Sequence, residues 1–232
     1  MAEPKHDRSK MHYQLDRISF FSDGVFAIAI TLLIIEFKVP VIEHATDAVL
    51  WHALSHMILK FLGFLISFAI VGYYWSVHHR IFGYVDDYTT RLIWINLFFL
   101  FSVVLLPFSS GLLGEYSSEL ELHLPYGIYV INILLAATMN GVLWLYVSHP
   151  KRKLLTHQIS PERIRLGLYF TFVVPVLFIL SYLVTLKAPL AGRFIPVLIP
   201  LVLKYGMRGL ARKALQQEEA RLSRVAENNQ EH

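Results

Sequence analysis

Long apolar runs separated by short polar stretches dominate this chain. Residues 17–38, RISFFSDGVFAIAITLLIIEFK, set the pattern: Ile18 to Phe37 is largely apolar, yet Ser22 and Asp23 sit about a turn inside its start and Thr31 interrupts the aliphatic run. A helix crosses the hydrocarbon core of a bilayer in about 20 mostly apolar residues. Six segments meet or approach that length, at 18–37, 49–77, 92–113, 125–147, 164–186 and 190–206. The last is short and holds Pro196 and Pro200, which lipid tolerates where neighbouring helices satisfy the freed carbonyls. No strand-like alternation of span length is present, and open sheet edges do not exist in lipid. The pattern predicts an all-α integral membrane protein of six transmembrane helices, with HLPYG and KAPLAG marking connections.

Composition and charge orient this bundle. The 232 residues are 55% apolar and 16% charged, with a mean hydropathy of +0.50, too hydrophobic for an ordinary soluble domain. The polar opening MAEPKHDRSKMHYQLD does not resemble a cleavable leader, so the first helix is expected to stay. Cytoplasmic loops collect Lys and Arg. With the N-terminus inside, cytoplasmic segments hold 17 of the 21 basic residues, including Lys151, Arg152, Lys153, Arg163 and Arg165 between helices 4 and 5 and six from Lys204 to Arg224. The outer connections hold only Lys38, Lys187 and Arg193, and Lys60 falls within helix 2. Both termini are therefore expected in the cytoplasm, and the net charge of +4 reads as a topology signal rather than as nucleic-acid binding. The outer connection GEYSSELELH is acidic without a basic residue, which describes either a solvated loop or a region that enriches cations near an outer mouth. The chain divides into a membrane domain, 1–206, and a cytoplasmic helical tail, 207–232, whose Leu210, Leu215, Leu222 and Val225 follow one side. Cysteine is absent, which excludes disulfides and thiolate metal sites.

In so apolar a chain the ionisable and polar residues at membrane depth carry the information, because each ionisable one costs about 2.5–3.5 kcal/mol at a helix centre and must find a partner. Ser22 and Asp23 on helix 1, Trp75, His78, His79 and Arg80 at the end of helix 2, and Trp94 and Asn96 at the start of helix 3 all fall near the cytoplasmic ends of their helices. A carboxylate accepts, whereas indole, amide, imidazole and guanidinium groups donate, so a network centred on Asp23 would tie three helices together. The same carboxylate could instead relay protons or bind a cation. His78 and His79 are adjacent and point about 100° apart on a helix, a poor arrangement for a shared metal. No HExxH, GxSxG, P-loop or paired intramembrane carboxylates occur, so no catalytic residues are assigned. The TVGYG filter of conventional potassium channels is also missing.

Helix 1 offers another feature. Ile28, Thr31 and Ile35, spaced by three and four, share one face with Leu32 beside them. Such a face describes ordinary helix packing, with the threonine bonded back to its own helix. Periodicity alone favours that packing; the same face repeated around an axis would make a pore wall, two aliphatic layers around a hydroxyl layer, in which a hydrophobic constriction can gate by dewetting.

The stretch RISFFSD, Arg17 to Asp23, matches the RxxxFSD signature of the transmembrane protein 175 family of lysosomal potassium channels and their prokaryotic relatives. GVFAIAITLLIIE, the HHRIF end of helix 2 and WINLFFLFSVVLLPF, with Asn96 and Pro107, also resemble that family. A single FSD, without a second repeat, is similar to the prokaryotic form, which the resemblance implies is a homotetramer with a central pore lined by helix 1. The resemblance assigns the narrow hydrophobic position to Ile28, the selectivity layer to Thr31 and a second apolar layer to Ile35, with Leu32 a further pore-lining candidate. Arg17, Ser22, Asp23, His78, Trp94 and Asn96 correspond to the network that packs helix 1. It implies a potassium-selective channel in a prokaryotic plasma (inner) membrane, passing K+ without a cofactor or resident metal; a proton-conducting channel and a small-molecule transporter are the alternatives.

Overall fold

The computed structural model describes residues 5–44, 46–155, 161–202 and 205. The described residues are helical throughout apart from connections and one isolated bridge. Helix α1 spans Lys5–Ile35, α2 Asp47–His56, α3 Ile58–Phe82, α4 Thr90–Glu115, α5 Leu124–Val147 and α6 Pro161–Thr185. A short final helix, Pro189–Phe194, runs into a 3-10 turn, Ile195–Leu198. Among the described residues, five helices are long and apolar enough to cross a membrane: Tyr13–Ile35, Ile58–Phe82, Thr90–Glu115, Leu124–Val147 and Arg163–Thr185.

Two expectations about the helices change. The apolar segment expected at 49–77 divides at Met57, which leaves helical geometry with ψ of 0°. Thr46 caps the first part, its hydroxyl accepting from Val49 N at 3.3 Å, and the spanning helix begins only at Ile58. A 29-residue run is longer than a membrane crossing requires, and α2 buries none of its residues. The sixth expected span, 190–206, is a short apolar stretch, Pro189–Val202. It rises about 20 Å at 1.5 Å per residue, against a hydrocarbon core of about 30 Å. Pro196 lies within its 3-10 turn, where the missing N–H and the clash of the ring with the preceding turn disfavour regular α-helix. The rest of that segment beyond Val202, except Tyr205, lies outside the described residues, as do the expected tail 207–232 and the six basic residues from Lys204 onward.

Helix α4 is central. It packs against α1, α3 and α5, while α6 packs against α5 and the final short helix returns on α6. Buried Phe26, Tyr74, Phe99, Leu106, Tyr129, Ile133 and Phe178 belong to one continuous core. Polar groups within it pair between helices, as lipid requires. Ser67 Oγ meets Ser110 Oγ at 2.8 Å and Tyr129 OH at 2.9 Å, Asn132 donates to Ser109 at 3.0 Å, and Asn140 donates to Thr171 at 3.0 Å.

The two ends are fastened differently. At the basic end, Val85 and Leu155 form an antiparallel bridge, and the Arg152 guanidinium lies 3.9 Å over the Tyr146 ring. At the acidic end, Lys60 pairs with Glu115 at 3.1 Å, and Arg193 donates to the carbonyls of Ser117, Glu119, Leu120 and Leu122 at 3.1–3.5 Å. The turn from α6 to the last helix brings backbone close: Ser181 Oγ donates to Gly192 O at 2.6 Å, and a Cβ on Gly192 would fall 2.5 Å from Thr185 N. Gly192→Ala should therefore push the two segments apart and destabilise the protein by about 1–3 kcal/mol. Thermal unfolding in detergent, followed by tryptophan fluorescence, should show a lower midpoint.

Candidate functional site

The site begins with the rotational setting of α1. Ser22, Phe26, Ala29 and Leu33 are buried at spacings of four, three and four, which is one helical stripe. That stripe faces α3 and α4. On the opposite side Ile28 is 61% exposed and Ile35 67% exposed, with Thr31 exposed between them and Leu32 beside them at 37%. Thr31 Oγ1 lies 2.9 Å from the carbonyls of both Ala27 and Ile28. Its proton is spent on its own helix, and the remaining lone-pair capacity of the hydroxyl oxygen is available to a cation. The packing and pore-wall readings of Thr31 are thus compatible.

The polar residues expected to brace α1 separate into two pairings. His78 Nε2 donates to Asn96 Oδ1 at 2.8 Å, Asn96 Nδ2 donates to Ser22 Oγ at 2.9 Å, and Ser22 Oγ donates to Ile18 O at 2.8 Å. This buried chain joins α3, α4 and α1. Asp23 stands apart: its Oδ1 accepts from Trp75 Nε1 at 2.9 Å, beside a groove between α1 and α3 lined by Phe26, Ala27, Ile30, Val71 and Gly72. The hub is Asn96 rather than Asp23 because a carboxamide both donates and accepts, whereas a carboxylate only accepts.

Arg17 and Trp94 are not drawn into either pairing. Arg17 is exposed and makes no side-chain hydrogen bond or ion pair among the described residues, lining a groove with Phe21, Tyr88 and Asn96. Trp94 is 58% exposed and meets the ring of Phe98. His78 and His79 diverge as adjacent helical residues should. His78 is buried among Phe26, Phe82 and Phe99, with ring centroids 4.4–5.6 Å away, while exposed His79 stacks on Trp75 at 5.6 Å. This aromatic enclosure escaped the sequence reading; the i, i+4 spacing of His78 and Phe82 was its only local signal. No group of three or more metal-ligating side chains occurs among the described residues.

Asn96→Leu leaves the His78 N–H without its acceptor and removes the Ser22 contact, a loss of about 1–2 kcal/mol. Asp23→Asn keeps an oxygen for the Trp75 indole. Thermal denaturation in detergent should show a clear fall in midpoint for Asn96→Leu and a smaller one for Asp23→Asn.

Comparison with known proteins bears on what this arrangement serves. A family model described as endosomal/lysosomal potassium channel TMEM175 matches residues 17–107, the stretch from Arg17 in α1 through α2 and α3 to Pro107 in α4. A potassium channel of Streptomyces collinus is 35% identical over 133 residues, 57% of this chain and 64% of that protein, just under two thirds of its length. A potassium channel of Chryseobacterium sp. is 32% identical over 155 residues, 66% of this chain and 78% of that protein. The endosomal/lysosomal proton channel TMEM175 of Danio rerio is 33% identical over 60% of this chain but only 28% of its own length. The crystal structure of a lysosomal potassium-selective channel TMEM175 homolog from Chamaesiphon minutus superposes with a TM-score of 0.69 at 26% identity, covering 82% of this chain and 95% of that one. This chain belongs to the family of the endosomal/lysosomal potassium channel TMEM175.

Proposed function

We propose that the protein is a potassium-selective cation channel, an integral membrane protein that passes ions passively and catalyses no reaction. The observation that carries this reading is the exposed face of α1. Ile28, Thr31 and Ile35 lie opposite the stripe that packs α1 to its own chain, on a helix whose membrane-spanning window is 22% buried. Four copies arranged as a homotetramer would turn these faces toward one axis, giving an aliphatic ring, a hydroxyl ring and a second aliphatic ring in sequence. Partly hydrated K+ would meet the Thr31 oxygens, while Ile28 and Ile35 set width and wetting and Leu32 contributes to the wall. The subunit would have six membrane segments, the last being the irregular stretch from Pro189. Both termini would be cytoplasmic by the distribution of basic residues, and the membrane would be a prokaryotic plasma membrane, in keeping with the bacterial relatives.

Proton conduction is the second reading, supported by the naming of the animal relatives as proton channels. The buried His78–Asn96–Ser22 chain is its natural route in this molecule, but it ends on the Ile18 carbonyl, which has no proton to pass on. Proton flux into liposomes that persists without potassium and falls in Asn96→Leu would favour it.

The pore wall is tested by planar-bilayer recording of reconstituted protein. Ile28→Asn should wet the constriction and raise potassium conductance several-fold. Thr31→Val should lower the K+ over Na+ permeability ratio by a factor of about two to ten, equivalent to ~0.4–1.4 kcal/mol in ion coordination. Unchanged conductance and selectivity in both variants would remove this face from the ion path.

A further inference from the structure

We propose that His52 and His56 form a two-point binding site for a divalent transition metal of the zinc, nickel or copper type. The two residues lie four apart on α2, so their side chains stack on one face. Their Nε2 atoms are 3.3 Å apart, with ring centroids at 4.5 Å and an interplanar angle of 69°. Two imidazole nitrogens, each ~2.05 Å from a tetrahedral ion, are separated by about 3.3 Å. The rings therefore already have the bite of a chelate. Imidazole is a favoured ligand for these metals.

In the present contact one ring donates its Nε2–H to the other, and a metal takes both Nε2 lone pairs, so the donor ring carries its proton on Nδ1 instead. Both histidines are exposed, leaving the remaining coordination positions to water. No third His, Cys, Asp or Glu joins them among the described residues, which makes this an open, exchangeable site.

The helix that carries the pair gives the site a physical effect. Helix α2 has ten residues and buries none of them, and helices of that length are marginal without packing support. Its hold on the folded form rests on local contacts such as the Thr46 cap and Ser55 Oγ donating to His52 O at 2.7 Å. A metal bridging one turn would bind the helical form of α2 and not the frayed form. The site thus couples metal occupancy to the order of the segment that leads into α3, independently of what the pore conducts.

The test is amide hydrogen exchange of the full-length protein in detergent, with zinc chloride and with magnesium chloride as control. Exchange across 47–56 should slow in proportion to 1 + [Zn]/Kd, about 100-fold at a hundred times Kd, with submillimolar affinity by calorimetry. His52→Gln and His56→Gln should each abolish this protection while leaving the metal-free thermal midpoint unchanged. Absence of zinc-dependent slowing, or equal slowing in the double variant, would overturn the site.

Discussion

Asn96 accepts from His78 of α3 through one end of its amide and donates to Ser22 of α1 through the other, and the setting of the first helix depends on that bridge. In lipid no water is present to satisfy a stray amide or imidazole, so each polar group must be placed where its partner is. Apolar packing alone leaves a helix free to rotate, since lipid chains are as apolar as leucine. A directional contact at Ser22 removes that freedom. Phe26, Ala29 and Leu33 then fall into the interface with α3 and α4, and the aromatic rings around His78 close over the bridge.

This setting divides α1 into two functional sides. What is buried fixes the helix to its own subunit; the side left outside from Ile28 to Ile35 is aliphatic apart from Thr31, which has already satisfied its proton within the helix. A hydroxyl so arranged adds little cost to a hydrophobic environment and still offers oxygen to an ion. In the channel proposed here, brace and conduction path are opposite sides of the same helix, and a change in one is felt in the other through rotation of α1.

The extent to which this was legible in the sequence varied with the kind of information needed. The expected spans 92–113, 125–147 and 164–186 agree with α4, α5 and α6 to within a few residues at each end, because long apolar runs bounded by Gly, Pro or charge leave a bilayer helix few alternatives. The expected span runs through the break at Met57 because the apolar residues around it outweigh the polar cluster His52, Ser55 and His56 just before it, which was the available sign. The proline-bearing last segment departs from regular α-helix where Pro196 sits in a 3-10 turn. At the site, Ser22, Asp23, His78 and Asn96 were legible as polar groups needing partners, whereas Arg17 and Trp94, expected beside them, join neither pairing. The sequence reading centred the network on Asp23, while the bridge between helices is made by Asn96, since that choice depends on how three helices are rotated. Contacts beyond the first three spans, such as Ser67 with Tyr129 and Arg193 with the loop carbonyls, join residues far apart in the chain and left no local trace.

The absence of cysteine allows the central claim, the rotational setting of α1, to be measured residue by residue. Single cysteines introduced from Phe26 to Ile35 in reconstituted protein can be challenged with a small, charged, water-soluble thiol reagent while ion flux is followed. Rapid modification that alters flux is expected at positions 28, 31 and 35, with protection at 26, 29 and 33. Modification at 29 and 33 with protection at 28, 31 and 35 would contradict that setting of α1.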